Sequence, residues 1–346
     1  MIPEDCVLPA PARELRVRSA DGSWLHVEEY GPEGAPLVVL AHGWTCSIAF
    51  WAPVIHQLAA THRVVAYDQR GHGRSDIPAA RRGYSTTALA EDLEAVVTRL
   101  VPEGERAVLA GHSMGGMTIM AAGDRPAVAA RTAAVLLAST GPSDLTEELL
   151  VVPAGLRPRG LRRVLHRQIL QSRLPLGPVT GLSRLALKYG TMGPATPADR
   201  VAVSARIVHA CPTAVRANWA RVLGELDVRA GLARLAAPTA VLVGAADRLT
   251  PPVHARRIQA ALSAPDGFVE LPGVGHMSPI ERPAEVAGEI RRLVSTYLAA
   301  ESSTLPVPAP AVEGTVQPVS VPASESVTEP VAASAAHPIP ERTDAV

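Results

Sequence analysis

Apolar and polar residues alternate strictly near the start of the chain. Leu15 and Val17, then Leu25 and Val27, occupy every second position of residues 14–18 and 24–28, the period of a strand with one buried face. Asp21-Gly22 between them is a hairpin turn signal, so the chain is expected to open on an antiparallel pair. The pattern then changes. Residues 36–41, 64–67, 107–110, 133–138 and 239–244 are short, continuous apolar runs, as in strands covered on both faces. Helical periodicity fills the gaps: residues 50–60, 85–100 (Leu89, Leu93, Val96, Val97 and Leu100 on one stripe), 117–122, 253–262 and 284–298, with a last strand at 268–271. Strands alternating with helices predict an α/β fold, a mostly parallel, doubly wound sheet between two helical layers.

Two segments break the alternation. Residues 141–237 carry helix-like patterns interrupted by proline and glycine and no strand, and are expected to form a helical cap inserted into a core of residues 1–140 and 238–300. Residues 301–346 hold eight prolines among Ala, Val, Ser and Glu without usable periodicity. Such a tail is expected to be disordered.

Composition narrows the class. A chain of 346 residues is long enough for a substantial core. Lys and Arg balance Asp and Glu at 33 each, but the tail carries six acids and one base, leaving residues 1–300 at about +5. That is too mild for a nucleic-acid footprint, and no basic run interleaves with aromatics. Cys6, Cys46 and Cys211 show no paired spacing, so neither a disulfide framework nor a zinc site is expected. Residues 1–5 lack the features of a secretory leader, and no apolar run reaches the ~20 residues of a membrane span. The chain reads as cytoplasmic, with attachment to a surface by other means left open.

The chemistry centres on Gly111-His112-Ser113-Met114-Gly115. This G-x-S-x-G pattern follows an apolar strand and precedes a helix, the setting of a nucleophile elbow that lifts the serine hydroxyl clear of the sheet. Other motifs accompany it in order: His42-Gly43-Trp44, the run from Asp68 to Ser75, and Gly244-Ala245-Ala246-Asp247 with Gly275-His276. Together they resemble the α/β-hydrolase family over about residues 13–299, with nucleophile, acid and base in the family's order Ser, Asp, His. The resemblance implies an ester-cleaving serine hydrolase needing no metal or organic cofactor. Serine at 113 sets the chain apart from the family's dehalogenases and epoxide hydrolases, which carry aspartate there.

Serine attacks only when a base takes its proton; His276 is the candidate base and Asp247 the carboxylate that orients it, with Asp144 and Asp227 as fallback acids. Met114 N–H donates to the oxyanion by elbow geometry, and the resemblance implies Trp44 N–H as the second donor. His42 is expected to orient that loop and weakly to contact substrate, with Cys46 and Ile48 near the pocket. His112 is read as a packed elbow residue. The same triad also serves cofactor-free perhydrolases and C–C or lactone hydrolases, and some family members only bind ligands or partners. The cap holds fourteen bases against six acids, with an apolar stripe (Leu161, Val164, Leu165, Ile169) among Arg159, Arg162, Arg163, Arg167 and Arg173. One reading is a solvated charged face; the other is a basic lid that meets anionic lipid or an acidic acyl substrate, which favours a lipid-like or medium-to-long acyl ester.

Overall fold

Asp21 and Gly22 make the first turn: Gly22 has φ +90° and Asp21 Oδ1 accepts the Ser23 N–H at 3.0 Å. Strands β1 (Arg13–Arg18) and β2 (Trp24–Tyr30) therefore pair antiparallel, with Leu15 opposite Val27. Strand β2 lies antiparallel to β4 (Arg63–Tyr67), and β4 parallel to β3 (Leu37–Ala41). The remaining strands, β5 (Ala107–His112), β6 (Thr132–Ala138), β7 (Thr239–Gly244) and β8 (Pro265–Leu271), continue in parallel. Together they form one sheet, ordered β1-β2-β4-β3-β5-β6-β7-β8. The computed structural model describes residues 2–151, 164, 166, 168, 172–173 and 176–298. All belong to the first of two units, 1–305 and 306–346.

The continuous apolar runs of the central strands split by parity, because successive side chains point to opposite faces. Val39, Leu109, Val135, Leu137 and Val241 pack on one face with Leu93, Val96 and Val97 of the helix Thr86–Leu100 and Ile258 of Pro252–Ala261. Val38, Leu40, Val108, Leu136 and Leu242 pack on the other with Val54 and Ile55 of Ala52–Leu58 and Ile290 and Leu293 of Pro283–Tyr297. Helix starts follow local chemistry: Ser85 Oγ accepts the Ala88 N–H at 3.1 Å, and Pro53, Pro252 and Pro283 occupy first-turn positions where no N–H is required. Strand β8 begins three residues before the expected 268, because an edge strand tolerates Pro265 and Gly267 that obscure its pattern.

Between β6 and β7 the described residues form the helices Leu145–Glu148, Gly181–Thr191, Ala198–Ala210, Thr213–Gly224 and Arg229–Arg234, with one isolated bridge, Ser143 to Asp227. Of the expected Arg-rich stripe, only Val164 and Arg173 fall within the described residues, both exposed; the tail lies outside them. No helix among the described residues is long and apolar enough to cross a membrane. The three cysteines are free and buried. The strand order reverses at β3, since β4 lies to one side of it and β5 to the other. The loops leaving β3 and β5 thus diverge at the carboxyl edge, the position where open α/β sheets hold ligands.

Candidate active site

Strand β5 runs straight into the elbow. Ser113 has φ +52° and ψ −116°, and the helix Met114–Ala121 starts at the next residue. Glycine is required on both sides. A Cβ at Gly111 would stand 2.6 Å from the Gly115 carbonyl, and one at Gly115 2.0 Å from Ala41 O. The elbow is thereby pressed against β3 and the following helix, and Thr140 Oγ1 holds the Ser113 carbonyl at 2.7 Å. Ser113 Oγ has no hydrogen-bond partner among the described residues and faces a cavity of about 640 Å³ that His276 also lines.

His276 is oriented by a carboxylate. Its Nδ1 lies 2.9 Å from Asp247 Oδ2. That carboxylate also accepts Thr250 Oγ1–H at 2.9 Å, and its Oδ1 accepts the Leu249 and Thr250 N–H groups at 2.8 and 2.9 Å. Asp247 and His276 are buried. Asp227 is engaged by Arg229, and Asp144 accepts Ser143 Oγ–H; of the three candidate acids, Asp247 meets the imidazole. The His276 backbone is fixed as well: its N–H donates to Thr191 O in the cap at 2.7 Å, and its carbonyl accepts from His112 Nε2 at 2.8 Å. His112 Nδ1 is buried without a hydrogen-bond partner, and burial, with His276 alongside, holds this imidazole well below its ordinary pKa. It is a neutral strut between the Ser113 turn and the His276 loop.

The loop after β3 is held from beneath. His42 is fully buried; its Nδ1–H donates to Gly43 O at 2.7 Å and its Nε2 accepts the Gln69 N–H at 3.0 Å. Burial pushes its pKa down to about 4. His72, pushed down to about 3 by burial, accepts the Thr45 N–H at 3.2 Å, and Asp68 accepts the Ile48 N–H at 2.8 Å. The Asp68-to-Asp76 turn therefore supports the loop and contributes no side chain to the cavity wall. Its Arg70, fully buried, pairs with Asp92 (Nε to Oδ2, 2.6 Å). Above this support, neither Trp44 N–H nor Met114 N–H donates to any group among the described residues. The Trp44 indole is tied to the cap by a 3.1 Å bond from Nε1 to Arg216 O.

Of the residues expected near substrate, Cys46 lines the cavity, whereas His42 and Ile48 are buried and do not. The sequence reading missed Thr250 and Glu281. Glu281, also buried, accepts Gly193 N–H at 2.8 Å, Thr196 Oγ1–H at 2.6 Å and Gly275 N–H at 3.1 Å. The available signal was a glycine-rich loop, Gly273 to Gly275, whose buried N–H groups need an acceptor. No group of three or more His, Cys, Asp or Glu among the described residues is arranged to hold a metal.

A family model described as the alpha/beta hydrolase family matches residues 38–289. The chain is an α/β hydrolase. Among its relatives, this α/β hydrolase is 28% identical over 301 residues to a protein named probable oxidoreductase EphD of Mycobacterium tuberculosis, covering 82% of this chain and 50% of that one. It thus spans about half the length of the EphD proteins it matches. It is 27% identical over 273 residues to 3-oxoadipate enol-lactonase 1 of Acinetobacter baylyi, covering 78% and 92% of the two chains. The fold is similar to that of an esterase from Thermogutta terrifontis, with a TM-score of 0.65 at 22% identity over 82% of this chain and 99% of that one.

Proposed function

We propose that this α/β hydrolase cleaves carboxylic esters through an acyl-enzyme on Ser113. The observation that carries the reading is that His276, held 2.9 Å from Asp247, lines the same cavity as the strained Ser113, with the Trp44 and Met114 N–H groups idle among the described residues. In the reaction His276 takes the Ser113 proton as the hydroxyl attacks the carbonyl, then returns a proton to the leaving alcohol. Asp247 keeps the proton of the resting imidazole on Nδ1 and stabilises the imidazolium. The Trp44 and Met114 N–H groups receive the oxyanion, a contribution typically worth about 3 kcal/mol per donor. Water, activated by the same imidazole, then releases the acid. Leu145, Leu149, Leu187 and Leu223 on the cavity wall favour a medium-to-long acyl or lipid-like group.

The test is hydrolysis of p-nitrophenyl esters from acetyl to palmitoyl by wild type and Ser113→Ala. Turnover confined to the wild type, with its optimum beyond acetyl, is the expected result; a rate unaffected by the substitution overturns the reading. The enol-lactonase relative gives a second reading, in which the scissile ester is internal to a ring. Faster turnover of a lactone than of any linear ester would favour it.

A further inference from the structure

We infer that the outer face of the cap helix Gly181–Thr191 docks on an anionic phospholipid bilayer. Eleven large hydrophobic residues are exposed among the described residues, and six of them fall between positions 150 and 189: Leu150, Val164, Leu176, Leu182, Leu185 and Tyr189. Leu182 and Leu185 are the most exposed, at 78% and 64%. With Tyr189 they follow the i, i+3, i+7 spacing of a single helical stripe. The helix is built to hold that stripe in place, its start closed by a reciprocal capping box between Thr180 and Ser183. Its adjoining face, Ala186, Leu187 and Gly190, lines the cavity. Leu150 extends the stripe: its N–H donates to Arg248 O at 2.8 Å, and the Arg248 guanidinium lies 4.4 Å from the Tyr189 ring centre. A contiguous apolar surface at a cavity rim marks a place of association.

Charge selects the occupant. Residues 149–198 contain eight bases and no acid. Arg173 and Arg184 are exposed, Lys188 and Arg248 half-buried, and none of the four forms an ion pair among the described residues. Several arginines elsewhere on the surface are matched, Arg229 with Asp227, Arg234 with Asp124, Arg256 with Glu270 and Arg257 with Glu148, whereas residues 149–198 hold no acid of their own to match Arg173, Arg184, Lys188 or Arg248. A second copy of this chain would bring the same positive charge against the stripe. A bilayer containing acidic lipid offers both an apolar layer for Leu182 and Leu185 and headgroups for the unopposed cations.

The test is flotation of the full chain with phosphatidylcholine vesicles, with and without phosphatidylglycerol. It reads binding, so its outcome is independent of the ester-hydrolase reading. Partitioning is expected to be roughly tenfold or more higher on the acidic vesicles at low salt and to fall as ionic strength rises. The double variant Leu182→Asp, Leu185→Asp is expected to lose it while keeping the wild-type urea midpoint. Equal binding by wild type and variant, or no preference for acidic vesicles, overturns the inference. So does a wild-type dimer in sedimentation equilibrium that the variant lacks, because the stripe would then meet a second copy.

Discussion

Ser113 holds its side chain in a backbone region that L residues rarely adopt, and such strain costs about 1–3 kcal/mol. Glycine escapes that cost but loses roughly 0.5–1 kcal/mol through the freedom of the unfolded chain. Ser113→Gly is therefore expected to raise the unfolding free energy by about 1 kcal/mol, whereas Ser113→Ala, which keeps the Cβ, leaves it near wild type. Urea titration at constant slope compares them, and equal midpoints would show that the Cβ carries no strain. At this scale the sequence was most readable where chemistry restricts the choice of residue. Ser113, Asp247 and His276 stand in recognisable motifs, and the first two have contacts within four positions, Ser113 O with the Met117 N–H and Asp247 with the Thr250 N–H. Partners that act across long separations left no local trace. His112 reaches the His276 carbonyl over 164 positions, and Glu281 reaches Gly193 over 88. Proximity in sequence does not reveal which side of a loop faces the cavity: Cys46 lines it, while His42 and Ile48 do not.

Among elements, the decisive joint is between the loop bearing His276 and the end of the cap helix Gly181–Thr191. A Cβ at Gly275 would stand 2.4 Å from the Met192 carbonyl carbon, and one at Gly193 2.0 Å from Gly273 O. The Glu281 carboxylate fills the remaining donors. Glu281→Ala leaves the Gly193 and Gly275 N–H groups and the Thr196 hydroxyl without their acceptor and frees the segment bearing His276. Since small misplacements at a reacting centre cost up to about a hundredfold, kcat/KM on a p-nitrophenyl ester is expected to fall about ten- to hundredfold. Steady-state kinetics beside Glu281→Gln, which keeps one acceptor oxygen and should be intermediate, checks this; unchanged kinetics would mean that the loop holds His276 unaided. Strands and helices were legible because their periods of two and 3.6 are local. The cap helices between β6 and β7 were legible only as helix-rich sequence, since their boundaries depend on what they cover.

For the whole molecule, the notable property is how many imidazoles are kept neutral inside it. His42, His72, His112 and His254 are all held below the ordinary histidine pKa by burial, and both ring nitrogens of His254 lack a partner among the described residues. In the unfolded chain each would titrate near 6.5. Below that pH the unfolded state takes up protons that the folded state refuses, so stability falls as pH drops, down to about 4 for His42 and about 3 for His72; above 6.5 the contribution vanishes. The slope approaches about 1.4 kcal/mol per pH unit for each such group. Asp68 and Asp92, raised by burial, act in the opposite sense where they titrate, so the histidine contribution is read just below pH 6.5. Urea midpoints measured there should fall steeply as pH drops, and less steeply in His254→Leu; a flat profile would refute the assignment. The cap's bonds to the residues around Ser113 and His276, Trp44 to Arg216, His276 to Thr191 and Glu281 to Gly193 and Thr196, also bear on how such enzymes diversify. Caps are convenient units to exchange between relatives when seeking new selectivity. Here a transplanted cap would bring main-chain carbonyls set by a different backbone path, so chimaeras that keep the Trp44 and His276 loops in place are expected to carry residues 191–196 and 216 with the recipient's core.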